Sequence, residues 1–96
     1  MMTIPLKKTK TILIVDDNLN FIDRMVGLLQ EIRSQFNIII ASDYEEARKL
    51  LLREDPAVAL LDINLPGKNG IELLKLVKKS YPGCEIIMIT NHADHY

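Results

Sequence analysis

The chain has 96 residues, a formal net charge of −1, 26% charged and 48% hydrophobic residues, and so makes one small globular domain with a modest core. That charge balance gives no ground for binding nucleic acid or a membrane surface through bulk electrostatics. The single cysteine, Cys84, excludes an internal disulfide and suits a reducing cytosol, and no apolar run approaches the length of a transmembrane helix.

The N-terminal MMTIPLKKTK is basic and lacks the apolar stretch of a signal peptide, so residues 1–10 are expected to be a solvated tail. TILIVDD follows, a β-branched apolar strand over Ile12 to Val15 that ends in Asp16 and Asp17. Asn18 is placed to cap a helix, and Phe21, Met25, Leu28, Leu29 and Ile32 recur at helical spacing, predicting an amphipathic helix that ends near Ser34. NIIIA, from Asn37 to Ala41, predicts a second buried strand. Ser42 with Glu45 forms a capping-box pattern ahead of a second helix whose apolar face is Tyr44, Ala47, Leu50 and Leu51. Pro56 closes that connection, and AVALLDINLPGKNG begins. A third helix is expected from Gly70 with Ile71, Leu74 and Val77 turned inward and Lys75, Lys78 and Lys79 facing solvent. After the Tyr81-Pro82-Gly83 turn, residues 85–90 predict a fourth strand that ends at Thr90.

Strand and helix alternating three times, then a strand, imply right-handed crossovers and a parallel sheet covered on both faces. The run Val58 to Leu61 reads as a buried parallel strand, which puts Asp62 at its carboxyl end, where open α/β sheets bind ligands. Taken alone, Asp16 and Asp17 serve equally well as caps of the next helix. With Asp62 on a neighbouring parallel strand, the three acids gather at one sheet edge, and like charges that close shift their protonation or recruit a cation. A hard divalent ion such as Mg²⁺, held by carboxylates and water, fits them.

VDDN at 15–18, LLDINLPGKNG at 60–70 and IIMIT at 86–90 together resemble the receiver domain of two-component response regulators. The resemblance implies a flavodoxin-like, doubly wound parallel sheet, with residues 11–96 as the receiver domain and a cytoplasmic location. It further implies that Asp62 is the phosphoacceptor, charged by a sensor histidine kinase or phosphotransfer protein. Asp17 resembles a direct Mg²⁺ ligand and Asp16 one acting partly through water, while Asn64 would lend its backbone carbonyl. Thr90 resembles the hydroxyl that turns toward the new phosphoryl group. Such a domain accepts a phosphoryl group rather than catalysing turnover, and its product is an aspartyl phosphate.

The match departs from the family pattern in two places. No lysine follows Lys79, and the fifth strand and last helices of the family are missing, so the expectation is a receiver cut short that is either a homodimer, by strand exchange or edge pairing, or marginally stable. Asn91 stands where the family carries a small residue, which would narrow access to the site. His92 and His95 have a metal-compatible spacing without an evident third ligand and are expected to be solvated; Cys84 is expected to be an inert small hydrophobe. Two rival functions stand beside the receiver: an interaction-only scaffold, and an aspartyl-phosphate hydrolase. The hydrolase places its nucleophile in a D-x-D after the first strand, whereas here the adjacent acids and the best acceptor lie on different strands.

Overall fold

The structure, a computed structural model, describes residues 10–32 and 35–89. The elements in chain order are β1 (Lys10–Val15), α1 (Leu19–Leu28), β2 (Phe36–Ala41), α2 (Tyr44–Leu51), β3 (Pro56–Asp62), α3 (Gly70–Ser80) and β4 (Glu85–Ile89), with a 3₁₀ turn at Gln30–Ile32 after α1. The four strands form one sheet in the order β2-β1-β3-β4, and each neighbouring pair is parallel. This is the flavodoxin-like arrangement expected from the sequence, running as far as the fourth strand.

Side chains alternate across a strand, so the sheet builds two apolar layers. Leu13, Val15, Ala59 and Leu61 pack with Ala47, Leu51, Leu73 and Val77 of α2 and α3. Ile12, Ile14 and Leu60 face the other way, onto Ile22 of α1. The second layer is the thinner one, because among the described residues a single helix covers it. Its flanks show the shortage: Ile40 on β2 is 44% exposed and Ile87 on β4 is 53% exposed.

Local chemistry explains the helix starts. Asn18 caps α1 by accepting from the Phe21 amide, and Asn69 caps α3 by accepting from the Glu72 amide. At α2 the structure corrects the sequence reading: the cap is Asp43, accepting from the Glu46 amide, rather than Ser42 paired with Glu45. Glu46 accepts from the amide and hydroxyl of Ser42, the residue before the cap, so a variant of the box closes the helix mouth one residue later. Glu45 instead bridges to Arg48 at 3.0 Å.

Two helical faces also differ from expectation. Helix α1 stops at Leu28, which is 78% exposed, short of the expected end near Ser34, a residue outside the described ones. In α3 the buried stripe is Gly70, Leu73 and Val77, while Ile71 is 40% exposed. Leu74 lies beside that stripe, half-buried against the same layer. Packing on α2 selects the Leu73 side, and the Tyr81 hydroxyl, donating to the Leu51 carbonyl, ties the far ends of α2 and α3 together. None of the helices among the described residues is long and apolar enough to cross a membrane.

Candidate functional site

Strand register brings the acids together. Strands β1 and β3 pair with Val15 opposite Leu61, so the next residues, Asp16 and Asp62, stand abreast. A register shift between Thr11 and Ile12 makes this alignment: Thr11 faces Pro56, yet Ile12 faces Val58, skipping Ala57. Without that extra residue Asp16 would face Leu61, and the carboxylates would be staggered. The Asp16 amide also donates to the Ala41 carbonyl at 3.1 Å, which extends the β1–β2 pairing to the site.

Carboxylate oxygens of Asp16, Asp17 and Asp62 all lie within 4.8 Å of one another. Asp16 is 0% and Asp62 2% exposed, while Asp17 faces solvent. Each buried acid has one oxygen held by the chain that follows it. The Asn18 amide donates to Asp16 Oδ1 at 2.8 Å, and the Asn64 amide donates to Asp62 Oδ1 at 3.0 Å. These turns orient both side chains toward the sheet edge. Three hard oxygen donors, two of them buried, suit Mg²⁺ or Ca²⁺ and give no reason to favour a soft metal.

Backbone contacts fix Asp62 from behind. A Cβ on Gly70 would lie 2.1 Å from the Asp62 carbonyl oxygen, so α3 begins in direct contact with the end of β3. The Gly70 amide donates to the Ile63 carbonyl at 2.8 Å, and the Ile63 amide to the Ile89 carbonyl at 2.9 Å. Between these anchors the loop buries Leu65 and turns through Gly67 at φ 77°. Its tip meets α2, where the Lys68 ammonium lies 5.0 Å from the Tyr44 ring centroid.

Asp16, Asp17 and Asp62 are therefore brought together, with Asn64 on the adjoining loop. Thr90, Asn91, His92 and His95 lie outside the described residues. Sequence reading did not assign roles to the Gly70 contact or to Lys68 and Tyr44. The Asn69-Gly70 pair at a strand-to-helix turn was the available signal for the first; nothing local signals the second. A larger cleft, about 740 Å³, opens at the opposite pole beside Lys10, Arg53, Asp55, Tyr81 and Cys84. Its charges of both signs are not gathered into a site.

The sequence pattern of the response regulator receiver domain matches residues 12–96, and the chain belongs to that family. It is 37% identical over 87 residues to the hydrogenase transcriptional regulatory protein HoxA of Cupriavidus necator, covering 91% of this chain and 17% of that one. A CheY-like receiver domain protein from Methanospirillum hungatei superposes with a TM-score of 0.79 at 35% identity, over 90% of this chain and 67% of that one. A response regulator from Burkholderia pseudomallei, solved with a phosphorylated aspartic acid, a calcium ion and citrate, gives a TM-score of 0.76 at 26% identity. That match covers 88% of this chain and 48% of the other. The chain spans between 17% and 38% of the length of the curated relatives it matches. Receiver domains are signalling modules of two-component systems rather than enzymes, and they bind a divalent ion at an acidic pocket.

Proposed function

We propose that this receiver, a cytoplasmic domain of residues 11–96 with Lys10 as the first residue of β1, accepts a phosphoryl group on Asp62 from a phosphohistidine of a sensor histidine kinase or phosphotransfer protein. The observation that carries the proposal is the convergence of Asp16, Asp17 and Asp62 at one sheet edge, with two of the three buried. The phosphorylated aspartic acid and calcium ion of the Burkholderia pseudomallei relative support it.

In the step, an Asp62 carboxylate oxygen attacks phosphorus and forms an acyl phosphate. The phosphorus–nitrogen bond to the donor imidazole breaks, and its electron pair stays on that nitrogen. Asp16, Asp17, Asp62 and the Asn64 backbone carbonyl would hold Mg²⁺, which neutralises charge between the anionic acceptor and the anionic phosphoryl group. Holding the acceptor still is the protein's own part: the Asn64 amide keeps Asp62 Oδ1 in place, and the α3 start supports the backbone beneath it. The new charge would then recruit a hydroxyl, the role the receiver resemblance gives Thr90, and bias the surface a partner reads. If Asn91 narrows access, as its departure from the family pattern implies, Asn91→Ala should speed loss of the phosphoryl group; equal rates would remove that role.

Phosphorus NMR of the chain with acetyl phosphate tests the reading. An acyl-phosphate resonance on the protein is expected with Mg²⁺ and not after chelation. Its absence under both conditions, with folded protein, would favour a scaffold that only docks partners.

A further inference from the structure

The β3–α3 loop carries Asn64 near its start, and its middle is thinly attached. Leu65 is buried, but Pro66, Gly67 and Lys68 are all exposed. A cleft of about 420 Å³ separates this tip from the start of α2, lined by Asp43, Tyr44, Glu45, Pro66, Gly67 and Lys68. The tip is thus not packed flush on its neighbour, and the turn at Gly67 gives it a ready pivot. Across the cleft, the Lys68 ammonium sits over the Tyr44 ring at 5.0 Å. Tyr44 is a firm base, because it opens α2 directly after the Asp43 cap and its half-buried ring packs on the main core layer. The neighbouring acid, Glu45, is ion-paired with Arg48 at 3.0 Å and feels the Lys68 charge only as the weakest of its cationic neighbours.

We propose that the Lys68–Tyr44 stack positions the β3–α3 loop, holding its tip against α2 so that the Asn64 backbone stays in place for the divalent cation bound by the acidic cluster. Lys68 is a positioning residue here and touches neither the cation nor the phosphoryl group. The inference rests on the receiver reading above and adds two residues to it.

The sign of the effect separates this role from simple charge. Lys68→Met removes a positive charge from the neighbourhood of a cation site, which through Coulomb's law alone would tighten Mg²⁺ binding. Loss of a positioning contact weakens it instead. An exposed stack of this kind corresponds to about a two- to five-fold change in a binding constant.

Calorimetric Mg²⁺ titration of the 96-residue chain, with amide hydrogen exchange of residues 64–70 without metal, is the test. Lys68→Met and Tyr44→Leu are each expected to weaken Mg²⁺ binding about two- to five-fold and to speed exchange in the loop. The double variant should be no worse than either single change, since both remove the same contact. Lys68→Arg and Tyr44→Phe, which keep cation and ring, should restore wild-type values. Unchanged or tighter binding in Lys68→Met, or additive losses in the double variant, would overturn the inference while leaving the receiver reading intact. A wild-type chain that binds no Mg²⁺ would overturn both.

Discussion

A hydrogen in place of a side chain at Gly70 decides where Asp62 sits. A methyl group there would meet the Asp62 carbonyl oxygen at 2.1 Å, and the obstacle is backbone, which cannot swing aside. Gly70→Ala should cost about 3 kcal/mol, the upper end for inserting a methylene into packed structure, measured by urea unfolding. It should lower phosphoryl transfer as well; a variant of wild-type stability would show that α3 shifts freely. Cys84 behaves differently: burial, then the nearby Asp55 and Glu85 charges, push its thiol up. With the folded value raised, its contribution to stability is full below the free-thiol value of about 8.5 and falls as pH rises beyond it. At pH 8 iodoacetamide should therefore label the folded chain more slowly than the urea-unfolded chain, and equal rates would refute the burial. The three acids were legible in sequence because each ends an apolar run at a strand terminus. The Lys68–Tyr44 contact was not, since it joins two loop-and-helix junctions that only the folded sheet brings together.

Helix boundaries show what pattern can and cannot resolve. Ser42-Asp43 followed by Glu45-Glu46 offers two registers for one capping box, and sequence alone does not separate them. The choice is made by β2, which runs to Ala41 and leaves Asp43 at the helix mouth. Asp43→Ala should cost about 1 kcal/mol in thermal or urea unfolding, and Ser42→Ala distinctly less, because the Ser42 backbone half of the box survives. The reverse ranking would restore the Ser42 cap. The inward face of α3 was ambiguous for a related reason: Ile71, Leu73, Leu74 and Val77 allow two apolar stripes, and contact with α2 selects Leu73 and Val77. Leu73→Ala should accordingly destabilise by about 2–5 kcal/mol, and Ile71→Ala by well under half of that, in the same unfolding assay.

At the scale of the whole molecule, the parallel sheet was legible in strand–helix alternation and its doubly wound arrangement in the receiver resemblance, while the uneven covering of the sheet was in neither. Two helices cover one face and one covers the other among the described residues, and β4 pairs with β3 on one side only. The central claim, that Asp62 is the acceptor served by the converging acids, is tested most directly by intact-mass spectrometry. Wild type and Asp62→Asn would each be incubated with acetyl phosphate and Mg²⁺. A single phosphoryl adduct on the wild type and none on Asp62→Asn is the predicted result. An equal adduct on both chains, or none on a folded wild type, would contradict the account.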